Sequence, residues 1–332
     1  ITLPALFGAS LYLALWFLGI VALNAVATWL LVRAARPTGS MRAAWWWMLT
    51  LLLLSPVALL RLEGVTAPLV VIALTLISRR PIVASVILTA ATWIKVWPAA
   101  VLFAAVGALA RRKTIIAAAA IFSAGVVGAV WALGGLAYIG GFISVQGDRA
   151  LQLEAPVSTP WLWMAITHSR GSYIYQNEVT VTREVTGPGD GAAIAIMIPL
   201  LAIAVVAIMA LIVWARRRGA EPERLLLVGS LAIATACIVF NKVASPQYML
   251  WLTPIVAIGL LSSWQRWRTP AVLLAVISLL TTLVFPVLYL ALVALNPFVA
   301  ALLTLRNALL VAVLIWCVRE LVRANGNRPQ AV

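Results

Sequence analysis

The chain has 332 residues, 64% of them hydrophobic and only 10% charged, with a mean hydropathy of +1.08. No soluble globular domain has this composition. A net charge of +15 would suggest nucleic acid in a soluble protein, but among long apolar runs it is a topology signal, and no nucleic-acid partner is expected.

Leu11–Val32 reads as the first span and ends at Arg33. Ala43–Leu60 returns, and the short Val65–Ser78 crosses again. Residues 82–110 are apolar but too long for one ordinary span, and basic clusters flank both ends: Arg79-Arg80 and Arg111-Arg112-Lys113. A span takes about 20 residues. Two short halves are therefore expected, with a turn near Lys95-Val96-Trp97-Pro98, since Pro98 cannot continue the preceding helix. A non-helical tip at membrane depth is tolerated only where it lines a cavity or is buried in protein.

Thr114–Leu133 then runs outward into a long polar stretch, 136–190. Its aromatic patch, Pro160–Met164, is expected to lie in the membrane interface. Gly187-Pro188-Gly189-Asp190 closes the stretch as a turn. Ala192–Trp214, Leu225–Phe240, Tyr248–Ser262, Ala271–Leu290 and Phe298–Trp316 complete the spans. Trp45, Trp46, Trp47, Trp264 and Trp267 read as an aromatic belt at one interface. The fold expected is all-α: one polytopic transmembrane helical bundle over residues 1–332, with about 10–11 membrane segments and 136–190 as an outer-face loop.

Seventeen of the 24 Lys and Arg fall on one face of that bundle: Arg33, Arg36, Arg42, Arg79, Arg80, Arg111, Arg112, Lys113, Arg216, Arg217, Arg218, Arg224, Arg266, Arg268, Arg319, Arg323 and Arg328. The positive-inside rule makes that face cytoplasmic. It also puts Ile1 outside, which usually needs an upstream membrane helix. The chain is therefore expected to be the C-terminal portion of a longer protein. Arg61, Lys95, Arg149, Arg170, Arg183, Lys242 and Arg306 lie on the opposite face or inside apolar segments. Each costs about 2.5–3.5 kcal/mol there unless it meets water or a partner. Their convergence on an outer-side cavity suggests an anion held at membrane depth, with a lipid phosphate as the candidate.

Five constellations carry this chemistry. Asn241, Lys242, Ser245, Gln247 and Tyr248 combine one point charge with hydrogen-bonding groups suited to a sugar or phosphate; a polar connection with a snorkelling lysine is the plainer alternative. Lys95 sits inside an apolar run, where snorkelling again competes with ligand binding. Arg306 offers a planar fork for bidentate phosphate contact, or an ion pair with Glu63 or another acid. Asp148, Arg149 and Glu154 share the large loop, where either carboxylate suits a general base or a hydroxyl contact and plain solvation is the alternative. Arg61 and Glu63 read most simply as a local ion pair. Cys237 and Cys317 lie in apolar helices, and His168 is the single histidine, so no metal site and no cofactor are expected.

These patterns resemble a family. Lys95 with Pro98 after a short helix, Arg149–Glu154 after the next, Lys242-x-x-Ser245-Pro246-Gln247-Tyr248-x-x-Trp251 and the late Arg306 resemble glycosyltransferase family 87, which has the GT-C type of membrane fold. The opening Leu3-Pro4-Ala5-Leu6-Phe7 is similar to a worn form of that family's Tyr-Pro-Pro segment. The resemblance implies transfer of a sugar, mannose by expectation, from a polyprenyl-phosphate donor to a glycan or glycolipid acceptor on the outer face of the cell membrane. It implies phosphate contacts for Lys95, Lys242, Arg306 and Arg149, and substrate contacts for Asn241, Ser245, Gln247, Tyr248 and Glu63. The family's catalytic Asp sits in a first outer loop that would precede Ile1, so no residue here inherits that role, and Asp148 or Glu154 stand as substitutes. A transporter or flippase that holds the same phosphate head group in transit is the alternative.

Overall fold

The computed structural model describes residues 8–141, 149–169 and 171–324. Asp148, Arg170, Arg328 and the Leu3–Phe7 segment lie outside the described residues. The architecture is a helical bundle capped at one end by a small sheet. Among the described residues, six helices are long and apolar enough to cross a membrane, and four shorter apolar segments accompany them.

Helix α1 (Ala9–Ala35) is apolar on all sides and buries only Ile20, Ala27, Leu31 and Ala35. The return segment is broken into α2 (Arg42–Leu53) and α3 (Ser55–Leu60), because Pro56 has no N–H to donate back into α2. Helix α4 (Glu63–Leu76) is short and buried along most of its length. It approaches α3 so closely that a Cβ on Gly64 would collide with the Ala58 carbonyl. The 82–110 run folds as two half-length helices, α5 (Pro81–Ile94) and α6 (Ala99–Ala108), joined at Lys95–Pro98. Lys95 is extended and Pro98 starts α6.

Helix α7 (Arg112–Ala132) leads into the region read as a loop. That region also carries an antiparallel sheet of order β1-β3-β2: β1 (Leu151–Gln152), β2 (Tyr173–Asn177) and β3 (Thr182–Thr186). The aromatic patch forms α8 (Thr159–Ile166), and it docks on protein rather than lying freely in an interface. Leu162 and Ala165 are buried, and Trp163 Nε1 donates to Thr304 Oγ1 at 2.9 Å.

Helix α9 (Asp190–Arg217) and the buried α10 (Pro222–Val239) follow. A 3₁₀ segment, Pro246–Trp251, leads into α11 (Thr253–Ser262). The expected Ala271–Leu290 span is divided into α12 (Trp264–Thr282) and α13 (Tyr289–Val293), with Pro286 between them. Helix α14 (Pro297–Val322) is capped by Asn296, whose Oδ1 accepts from the Phe298 and Val299 amides. Leu151, Leu153, Leu162 and Val185 of the cap pack with Leu292, Val299 and Leu303 of the bundle, so the cap and membrane helices share a core.

Basic helix ends gather at the opposite pole. Arg216 Nη1 donates to the Gly107 carbonyl at 3.3 Å, Arg224 pairs with Glu320 at 2.7 Å, and Arg42 lies over the Trp264 ring. The tryptophans there form less of a belt than expected. Trp45 and Trp264 face outward, while Trp46, Trp47 and Trp267 are buried. Trp267 fills the space left by Gly259, where any Cβ would collide with its ring.

Candidate functional site

Glu63 begins α4 and Lys95 ends α5, at the pole opposite the arginine-rich ends. Their side chains meet, with Lys95 Nζ 3.5 Å from Glu63 Oε1. The carboxylate is almost fully buried, whereas the lysine side chain keeps 34% of its surface exposed. The pair lines a cavity of about 300 Å³ together with Tyr12, Leu13, Trp16, Leu60, Arg61, Leu62 and Gln247. Glu63 is thus paired with Lys95, 32 positions away, in place of the local partner Arg61. Arg61 caps α3 and turns onto the cavity wall.

The floor beside this pair is aromatic. Trp97 donates from Nε1 to Thr66 Oγ1 at 2.9 Å and stacks on Trp251 with rings 6° from parallel. Trp251 stacks in turn on Tyr248, with centroids 4.0 Å apart. Tyr248 lies against Ser245 and within electrostatic reach of both Glu63 and Arg149. The 241–248 connection is thereby fixed next to the Lys95 turn.

A second polar cluster ties the cap to the bundle. Ser245 Oγ donates to Gln152 Oε1 at 3.2 Å, and the Gln152 amide N–H donates to the Lys242 carbonyl at 2.9 Å. The Gln152 side chain and the Tyr289 hydroxyl both lie against the Glu154 carboxylate. Arg306, only 2% exposed, donates from Nη2 to the Glu154 carbonyl at 2.6 Å. Burial pushes the Glu154 carboxyl above the usual carboxylate range, against the pull of these hydrogen bonds and of the Arg306 charge.

The structure therefore divides the sequence-level candidates. Glu63, Lys95 and Gln247 line one cavity. Tyr248, Ser245 and Arg149 stand beside it. Glu154 and Arg306 belong to the cap cluster, and Arg306 is committed to a backbone carbonyl there. Lys242 is buried at 4% exposure, and Asn241 turns its Oδ1 back to the Val243 amide. Asp148 lies outside the described residues. Tyr12, Trp16 and Gln152 are additions, while Arg61 reaches the cavity as one of the cations expected on that side. Tyr12 and Trp16 look like ordinary interface anchors in the sequence, and Gln152 like any loop amide.

An apolar groove of about 690 Å³ lies further along α1. Its walls are Ile20, Val21, Asn24, Ala25, Thr28, Trp29 and Val32 of α1, facing Met48, Leu51, Leu52, Ser55, Ala58 and Leu59 of α2 and α3. The cavity residues Tyr12, Leu13 and Trp16 lie on the same stripe of α1, at i, i+4 and i+8 spacing with the groove residues. Trp16 Nε1, on the cavity side, donates to the carbonyl of Leu59, on the groove side, at 2.8 Å. From Ile20 to Val32 the stripe runs about 18 Å along the helix.

The family model for glycosyltransferase family 87 matches residues 1–246. No curated protein and no solved structure matches.

Proposed function

Since the chain belongs to glycosyltransferase family 87 and is a multi-pass membrane glycosyltransferase, we propose that it transfers mannose from a polyprenyl-phosphate donor to a glycan or glycolipid acceptor on the outer face of the cell membrane. One observation carries this reading: a cavity bearing Lys95 and Arg61 lies in line with an apolar groove on the same stripe of α1. An anionic head and a long hydrocarbon tail are what such a paired space accommodates.

The phosphate lies against Lys95 and Arg61, with Lys242 and Arg149 adding positive charge behind Tyr248. The bond from sugar C1 to the phosphate oxygen breaks, and the phosphate takes the electron pair. Cations preorganised around that oxygen stabilise the charge as it grows. The acceptor oxygen forms the new bond to C1 in line with the departing group, and its proton passes to a carboxylate. Of the two substitutes for that carboxylate, Glu154 is occupied in the cap cluster, and Asp148 lies outside the described residues. Gln247 and Tyr248 are placed to contact the sugar.

The test is transfer by the purified full-length protein in vesicles, with polyprenyl-phosphate mannose and a glycolipid acceptor. Turnover of that donor, lost in Lys95→Ala, supports the reading. Turnover of a water-soluble nucleotide sugar alone, or phospholipid-linked transport without transfer, would overturn it.

A further inference from the structure

Gln152 meets both halves of the candidate site, and the reading above gives it no role. It is 4% exposed and lies at the end of β1. Its backbone N–H holds the Lys242 carbonyl, and its backbone carbonyl accepts from Ser158 Oγ at 2.6 Å and from the Ala155 amide. Its side-chain Oε1 accepts from Ser245. The other side of the same amide lies against the Glu154 carboxylate, which Tyr289 also addresses and whose backbone carbonyl Arg306 holds. A polar path thus runs from α14 through Glu154, Gln152, Ser245 and Tyr248 toward Glu63 and Lys95.

We propose that Gln152 is a positioning residue for glycosyl transfer: its amide locks the Lys242–Tyr248 connection to the cap, and so sets Lys242 and Tyr248 against the donor cavity. The proposal rests on the cavity at Glu63 and Lys95 being the donor site. An amide suits this place because it accepts on one side and donates on the other. A carboxylate of the same shape keeps the acceptor and loses the donor. Small displacements of groups around a reacting phosphate are costly, with about a hundredfold lost for a shift of about 1 Å.

Residues 1–332 contain three lysines, Lys95, Lys113 and Lys242, which makes a clean second readout possible. Gln152→Ala in the full-length protein should lower kcat about tenfold to a hundredfold while leaving KM for the polyprenyl-phosphate donor near the native value. In the same variant, amine-reactive labelling read by mass spectrometry should rise at buried Lys242 and stay unchanged at Lys113. Native kcat, or continued protection of Lys242, overturns the proposal.

Should Gln152→Ala lose the native melting transition, and so be misfolded, Gln152→Glu decides. There the new carboxyl faces Glu154, with Arg306, Tyr289, Arg183, Glu184 and Lys242 around it. Its kcat relative to native should be highest at acid pH, where one carboxyl of the pair regains an O–H donor, and should fall as pH rises. A ratio that does not change with pH overturns the proposal. If the native protein turns over no polyprenyl-phosphate sugar, the donor reading fails by itself, and the Lys242 labelling still decides whether Gln152 fixes that connection.

Discussion

Arg306 on the last long helix donates from Nη2 to the backbone carbonyl of Glu154 in the cap, a 2.6 Å bond across 152 positions of chain. A guanidinium that is otherwise costly in an apolar helix is thereby turned to assembly. Its Nε and Nη1 are buried beside it without a hydrogen-bond partner, as is Glu154 Oε2. The cluster is polar, buried and tightly placed, and it ties the cap to α14.

Arg306→Ala should therefore act on stability more than on donor contact. Its removal leaves the buried Glu154 carbonyl without its donor, which costs about 1–3 kcal/mol. The expected outcome is a lower melting temperature in detergent and faster proteolysis within residues 149–190. Arg306→Ala with native stability and a raised donor KM would return this arginine to the phosphate.

The Glu154 carboxyl has its own pH signature. Its folded pKa is raised by burial above the ordinary value of 4.5. A group raised in this way contributes stability that is fully present below its unfolded pKa and is lost as pH rises through the folded one. Glu154→Gln should match native stability at pH below about 4.5 and exceed it at higher pH. Melting temperatures of both proteins across pH 4–9 (about that range suffices) check this, and parallel curves would refute it.

Lys95→Ala should abolish transfer without impairing membrane insertion, since removing a lysine from an apolar segment favours insertion. The effect belongs in kcat, because negative charge builds on the departing phosphate as its bond to C1 breaks. Lys95→Arg should rescue only in part, as a planar fork and a point charge differ in reach. Lys242→Ala should behave in the same way. Single-turnover kinetics on each variant separate binding from chemistry.

The groove on α1 makes a prediction of its own. Ala25→Trp places a large ring on its wall without touching the cavity residues. Donors with long polyprenyl chains should then bind more weakly, while short-chain analogues lose little. Equal loss for both would place the tail elsewhere.

Much of the bundle was legible from the residues. Apolar runs mark the spans, and the paired basic flanks with Pro98 predict the α5–α6 hairpin. The cap sheet was missed because its strands are two to five residues long, too short for a period-two pattern to stand out. Lys95, Glu63 and Gln247 stand out because charge or amide groups in apolar surroundings need a reason. Their pairing does not, since Glu63 meets Lys95 only after α4 and α5 pack side by side. Arg306 was visible as a costly cation, but nothing in one dimension distinguishes a phosphate from the backbone carbonyl that holds it.

The hairpin of α5 and α6 has a consequence for the lipid as well as for the substrate. Helix α5 has 14 residues and rises about 21 Å, less than a hydrocarbon core of about 30 Å. Lys95 at its tip is therefore set by a ruler anchored at the arginine-rich pole, and its depth below the far surface depends on how thick the bilayer is. Vesicles of short-chain lipids should bring the ammonium nearer the headgroups, and long-chain lipids should sink it. Catalytic rate then becomes a function of acyl-chain length, with an optimum where the donor's phosphate and the tip of the hairpin meet at the same level.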